Sequence, residues 1–599
     1  MKRILRLIAV LALTIGCGGG QTHTNLFSED WSNDQGRSAA RVRQKLQGTK
    51  PPPGADIALG IAGNGDKLIG LPLGGGAKWT FAHKLDARPT IAGDLVIGVG
   101  DGELFALDAE SGRKIWGRST GGLPVIGAGD DGTVTVVTLA RSNGSTVLAV
   151  ARDGTVAHQV ETDKVLGVPA VLGGLAFIPW AGQYVSVFDL THGDESARIL
   201  FREKVSHAWS EGGNLYFGEV GIFRFDDHIR DASRAQATHV ALPARELPGT
   251  PVLMVPPEER QATTASARDR IRLYARPSPG DGPLGIDTDR FYATYFRLVM
   301  GFDALKGNLA WVHTDPDEIV GGAAGVGSLV TCDSRGKITM LDAHDGTVVL
   351  EHDLGDEVRS CVVHVDGLKT PAGARTSRPL AEQIAAALTD GDAQLATAKR
   401  VLLREMAAMQ DEIATKVLVD LATDPRTGPP LDTDAKSALA GRRTGAKYML
   451  PALARHYDYL KDVLRPPPIG PLARALSAMK DKSASALLAS HLLDPANADG
   501  DVQQVAEALE ALGDESQVPA MKQFFVLYHA AADGDPIEAA VVIVARGLMK
   551  MGGKDGRALI DRALRDPMTS EAVKGKLQGL VNGARPKAAG TISGDGGDK

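Results

Sequence analysis

The sequence predicts two architectures in tandem, an N-terminal β-propeller followed by a C-terminal solenoid of paired helices. Three observations carry this reading. A β-like unit closing on tryptophan recurs through the first half of the chain. In the second half, leucines spaced by 37, 37, 33 and 39 residues mark a helical repeat. All six tryptophans lie between Trp31 and Trp311, and none falls in the last 288 residues, so the halves differ in composition as well as in period. At 599 residues the chain is also too long for one core.

The clearest β unit is Pro89 to Trp116, PTIAGDLVIGVGDGELFALDAESGRKIW. It reads as a short apolar strand, a turn, two strands joined at Asp101-Gly102, a polar turn around Ser111-Gly112, and a strand ending on Trp. Worn copies are NGDKLIGLPLGGGAKW to Trp79, VMGFDALKGNLAW to Trp311 and RGKITMLDAHDGTVVL to Leu350. Weaker ones are QYVSVFDLTHGDESARILF near Phe201 and IFRFDDH near Asp226. Apolar residues such as Leu104, Ala106 and Leu107 suit strands sandwiched between neighbouring sheets. The Asp-Gly pairs at 101–102, 131–132 and 153–154 provide the positive φ of tight hairpins. A unit of about 40 residues cannot bury both faces alone, so its copies stack around an axis.

Across residues 57 to 367 the repeat predicts seven blades of about 44 residues, with eight of about 39 as the alternative. Val358 to Asp366 looks like a blade's opening without its ending, and Ile57 to Phe81 like an ending without an opening. One blade built from both would close the ring and remove its sheet edges. Ala244 to Asp289, rich in Pro, Arg and Gly, reads as a long insertion or a degenerate blade.

From about Pro379 the period turns helical. PLARALSAMKDKSASALLASHLLDP from Pro471, VAEALEALGDESQVPAMKQFF from Val505 and VARGLMKMGGKDGRALIDRAL from Val544 align. Each has a striped helix, a short Gly or Asp turn and a second striped helix. Leu402, Leu439, Leu476, Leu509 and Leu548 stand at equivalent places. Asp535-Pro536-Ile537-Glu538 reads as an N-cap, a first-turn proline and a glutamate three after the cap. The pattern resembles HEAT-type α-solenoid repeats, about five in number.

The chain opens MKRILRLIAVLALTIGC: a basic start, an apolar run from Ile4 to Ile15 too short to span a bilayer, then Gly16-Cys17. This resembles a bacterial lipoprotein signal, with Thr14 where Leu is usual. The resemblance implies a lipidated Cys17 at the start of the mature chain, and Gly18 in place of Asp points to the outer membrane. An ordinary secretory peptide is the alternative. No apolar run after residue 17 is long enough to cross a membrane, so lipid at Cys17 is the expected anchor. The expected organisation is a signal peptide (1–16), a tether (17–55) with a short helix from Ser38 to Leu46, and the propeller (56–368). A linker (369–378), the HEAT-like domain (379–582) and a disordered tail (583–599) follow. A net charge of -7 gives no basic footprint for nucleic acid. Two further cysteines, Cys332 and Cys361, allow a disulfide in an oxidising compartment; two buried free thiols fit the sequence equally well.

Gly102 to Ala109 and Gly112 to Trp116 closely match the pyrroloquinoline-quinone-type propeller signature, G-x-L-x-A-L-D-A-x-T-G-x-x-x-W. That family includes quinone- and calcium-dependent dehydrogenases, in which the quinone stacks on a Trp beneath adjacent cysteines. This chain has no adjacent cysteines, and its tryptophans fall mainly at blade-closing positions, so the expectation is a protein that is not an enzyme and carries no cofactor. Among lipid-anchored propellers of this type, it resembles those of outer-membrane β-barrel assembly. That resemblance implies a periplasm-facing scaffold on the outer membrane, with the assembly channel and unfolded barrel proteins as partners. A general surface or periplasmic interaction scaffold is the alternative, and a quinone- or metal-dependent oxidoreductase a further one.

Other motifs fail on context. Gly127-Ala128-Gly129-Asp130-Asp131-Gly132 matches G-x-G-x-x-G but precedes a strand, Thr133 to Val137, so it reads as a hairpin turn. Asn497-Ala498-Asp499-Gly500 resembles the middle of a calcium loop, yet Pro495 and Ala506 hold the outer ligand positions. Asp499 to Asp501 read instead as caps of the next helix. His207, His239 and His313 have no ligand spacing, and neither catalytic residues nor metal ligands are assigned.

Overall fold

The computed structural model describes residues 26–29, 35–50, 52, 54–201, 205–211, 214–218, 271–274, 290–303, 308–369, 378–458, 466–532 and 534–583. The chain divides into two compact units, residues 1–383 with 390–398 and residues 384–389 with 399–599.

In the first unit, seven antiparallel sheets succeed one another among the described residues, six of four strands and one of two. They comprise β4 (Thr90–Ala92) to β7 (Lys114–Ser119), β8 (Val125–Asp130) to β11 (Val156–Thr162), and β12 (Ala170–Leu172) to β15 (Asp194–Leu200). The pair β16 (His207–Glu211) and β17 (Asn214–Gly218) follows. Next come β18 (Ile271–Tyr274) to β21 (Leu309–Thr314) and β22 (Ile319–Gly325) to β25 (Val348–Asp353). The first strands of successive sheets lie side by side: β4 with β8, β8 with β12, β12 with β16, β18 with β22. This is the radial packing that lets each sheet bury both faces. The seventh sheet closes the ring. β26 (Val358–His364) pairs with β1 (Ile57–Ala62), which continues into β2 (Lys67–Pro72) and β3 (Trp79–Ala82). The two orphan half-blades of the sequence thus complete each other. The copy near Asp226 lies outside the described residues. Within the expected insertion, residues 271–274 supply the first strand of a regular sheet.

The tryptophan that ends a blade locks it to the next. Trp79 Nε1 donates to the Ala109 carbonyl at 2.9 Å, and Trp311 Nε1 donates to the Ala343 carbonyl at 2.9 Å. Gly112 (φ 70) and Gly346 (φ 71) lie against the same rings. A Cβ at either would fall 2.4 or 2.5 Å from ring carbons, so the turn needs glycine twice over, for its φ and for the approach. The aspartate of the motif closes that turn: Asp108 Oδ1 accepts from Ser111 N at 2.8 Å, and Asp342 Oδ1 from His344 N at 2.8 Å.

Not every blade follows the rule: the copies near Phe201 and Leu350 lack the Trp, and so does the blade that ends in β11. In β11 the Trp place falls to His158, whose Nε2 donates to the Leu190 carbonyl at 2.8 Å and whose ring meets Gly193. Imidazole is smaller than indole, and the N-terminal segment fills the difference. Phe27 lines the same small cavity as His158, Leu190 and Gly193, and packs on Trp180 and Phe188 with ring centroids 5.9 and 5.3 Å away. The expected helix of the tether is α1 (Gln35–Leu46). It packs on β15, with Val42 buried and Lys45 Nζ 3.0 Å from Asp189. The described part of the tether is therefore docked on the sheets, by an apolar plug and an amphipathic face that sequence spacing alone reads as a linker.

The second unit is helical. Five helix pairs run from 396–408 with 412–423 through 431–440 with 446–453, 469–479 with 485–492, and 499–512 with 518–528, to 535–551 with 553–565. Leu402, Leu439, Leu476, Leu509 and Leu548 fall on the first helix of each pair, all fully buried. From the second pair onward these first helices stack on one another, as a period near 37 requires. Two caps differ from expectation by one residue. Ala498 and Gly534 are the N-caps, so Asp499, Asp501 and Asp535 sit in first turns, where they meet the positive end of the helix dipole instead of bonding cap N–H groups.

Candidate interaction site at the ring closure

β23 (Ser328–Asp333) carries Cys332 and β26 carries Cys361; the two pair as a disulfide with Cα atoms 6.3 Å apart, both fully buried. Because β26 belongs to the sheet that β1 completes, the bridge ties the closing sheet to the sheet before it. Cys17 and His239 lie outside the described residues.

Beside that seam opens a cleft of about 480 Å³. Its lining comes from the β1–β2 turn (Gly63), the segment before β22 (Asp317), the turn after β23 (Ser334, Arg335) and the entry to β26 (Glu357, Val358, Arg359). Turns collect here because chain reversals gather at one end of the sheets, where loops are free to vary. Arg335 pairs with Glu357 and lies 3.5 Å from Asp317. These pairs are largely exposed, so each contributes little to stability.

Close by lies a buried acid pair, Asp315 and Asp333, 2% and 1% exposed. Asp333 Oδ1 accepts from the backbone N–H of Arg335 (2.9 Å) and Lys337 (2.8 Å), which shapes the turn. Asp333 Oδ2 and Asp315 Oδ1 have no hydrogen-bond partner among the described residues. Burial, then the neighbouring Asp333 carboxylate, pushes the Asp315 carboxyl from 3.8 up to about 7. Burial also raises Asp333, and it holds the His313 imidazole down to about 4 with help from Lys337. Lys337 is raised by its 2.7 Å bond to Glu351. The raised Asp315 carboxyl lies in the range of a general base, and only 2% of the residue is exposed.

The tryptophans Trp79 and Trp311 are engaged between blades, as the sequence positions imply. Gly127 to Gly132 spans the end of β8 and the turn into a strand at Val134–Arg141, where Asp131 Oδ1 caps Thr133 N at 3.0 Å. His207 opens β16 and lies 2.7 Å from Ser206 Oγ. In the helical unit the fold gathers His456, His491 and Asp494, which single-residue inspection passes over. A signal for them exists: the histidines are 35 residues apart, close to one repeat, and so fall near equivalent places in consecutive pairs.

Residues 70–210, under a quarter of the chain, match the family described as outer membrane protein assembly factor BamB. No curated protein sequence matches the chain. Among solved structures, the crystal structure of BamB from Moraxella catarrhalis is similar at 15% identity, covering 50% of this chain and 73% of that one, with a TM-score of 0.20. The family match runs from β2 into β16 and includes the blade-closing Trp79 and Trp116, and the N-terminal unit is a PQQ-like β-propeller.

Proposed function

We propose that this protein is a non-enzymatic scaffold, lipid-anchored at Cys17 on the periplasmic side of the outer membrane, that assists assembly of outer-membrane β-barrel proteins. The observation that carries the reading is the match of residues 70–210 to an outer-membrane assembly factor, in a chain that opens with a lipoprotein-like leader. In this reading the ring has seven blades, the helical unit is a HEAT-like solenoid, and the Cys332–Cys361 bridge forms in the oxidising periplasm. The docked Phe27 supports a short leash. It stands ten residues after Cys17, so the lipid lies at most ~35 Å from the propeller's side. Partners are proteins, the assembly channel and unfolded barrel chains among them, engaged through propeller rim turns such as the cleft at the closure.

Two experiments test this. Crosslinked, detergent-solubilised membranes from cells carrying the tagged protein are affinity-purified and the co-purifying proteins identified by mass spectrometry. Enrichment of the barrel-assembly channel is expected; reproducible enrichment of another complex without that channel rejects the assembly role. Cys17→Ala is expected to shift the protein from the membrane to the soluble fraction, and unchanged sedimentation rejects the lipid anchor.

A further inference from the structure

We propose that His456, His491 and Asp494 of the helical unit form a binding site for a first-row divalent cation, zinc foremost. One ligand atom of each lies within 4.8 Å of the others, and a tetrahedral zinc ion holds such atoms ~3.3 Å apart. The proposal does not depend on the function argued above.

His491 is the fixed member. It is fully buried, and its Nε2 donates to the Leu453 carbonyl at 2.5 Å. That bond assigns the proton to Nε2 and leaves Nδ1 a lone pair, the same outer hydrogen bond that orients histidine ligands in metal sites. Asn497 Nδ2 lies 3.5 Å from Nδ1, and that amide's shorter bond, 2.7 Å, goes to the His491 carbonyl.

His456 is the adjustable member, its side chain 39% exposed. Its Nδ1 donates to Asp494 Oδ2 at 2.6 Å, and its ring stacks on His491 with centroids 4.0 Å apart. Stacked rings do not aim at one ion, so binding requires His456 to turn out of the stack, which its exposure permits. The proton on Nδ1 is then exchanged through solvent for one on Nε2; in the unturned ring Nε2 lies 3.4 Å from Ser490 Oγ. The Ser490 hydroxyl donates to the Leu487 carbonyl at 2.7 Å, so its oxygen is free to accept. Three protein ligands leave a fourth position for water. His456 follows the second helix of one pair and His491 ends the second helix of the next, so a bound ion would link consecutive pairs.

The test uses the full-length, tag-free protein in detergent, stripped of metal with EDTA. Zinc chloride is titrated by calorimetry, and cobalt chloride by visible absorption. One zinc per chain, the ligand-field bands of four-coordinate cobalt and a melting transition raised by zinc are expected. His456→Ala and Asp494→Asn, both at partly exposed positions, are each expected to weaken zinc binding at least ~10-fold without altering the metal-free far-ultraviolet spectrum. Zinc binding that is absent, or equally tight in both variants, overturns the site. If Asp494→Asn lowers metal-free stability and zinc has no effect, the cluster is a hydrogen-bonded clamp and nothing more.

Discussion

Replacing Asp315 by Asn should stabilise the propeller, and by more at higher pH. In the folded state this carboxyl titrates at about 7 rather than 3.8, because it is buried and faces Asp333, with Asp317 adding to the same effect and Lys337 opposing it. The folded protein therefore holds a proton that the unfolded chain has already released between those two values. With respect to this group, stability is fully present below about pH 4 and is lost as pH rises through about 7. At ~1.4 kcal/mol per pH unit, the gap amounts to about 4 kcal/mol once the group is ionised, of which about 2.5 kcal/mol accrues between pH 5 and 8. Asn keeps the shape and removes the charge. The assay is urea unfolding of wild type and Asp315→Asn at pH 5, 6, 7 and 8, followed by tryptophan fluorescence, since all six tryptophans precede residue 312. Subtracting the two curves removes the titrating groups that Asp315 does not influence, while its acidic neighbour Asp333 stays in the difference. A variant advantage that grows with pH is expected. A difference that is flat or shrinks over this range would refute the burial argument.

Three further outcomes follow from the packing. Trp311→Phe removes the donor to the buried Ala343 carbonyl and should cost about 1–3 kcal/mol. Trp116→Phe should cost markedly less, because Trp116 Nε1 has no hydrogen-bond partner among the described residues; equal losses in denaturant midpoint would count against the seam bonds. Replacing Cys332 and Cys361 together by Ala opens a 29-residue loop and should lower propeller stability by about 3–4 kcal/mol in non-reducing buffer, whereas parity with wild type would mean the bridge does not form. In the helical unit, buried Arg442 donates to Thr415 Oγ1 at 2.8 Å and to the carbonyls of Asp411 (2.7 Å) and Met409. Arg442→Met strands those acceptors and should cost about 3 kcal/mol by thermal or urea unfolding, a change under 1 kcal/mol being the contrary result.

The sequence alone determined the β-then-α order, the blade unit, the turns and even the blade shared between both ends of the propeller. It could do so because these features are local and periodic. Apolar residues two apart make a strand, Asp-Gly makes its hairpin, and Trp spaced against D-x-x-x-G marks a seam, so each copy announces itself. The buried leucines of the helical half were legible for the same reason, one per first helix. What the tertiary structure decided are proximities between residues with no shared period. Asp315 meets Asp333 only because β22 pairs with β23, and the burial and neighbouring charge that lift Asp315 have no signature in either segment. Phe27 docks beside His158 because that blade has an imidazole at the Trp place and leaves a gap, a deficit visible only once volumes are compared in place. His456 and His491 were readable in principle, as two histidines about one repeat apart. Asp494 was not, because its reach to His456 depends on how one helix pair lies on the next.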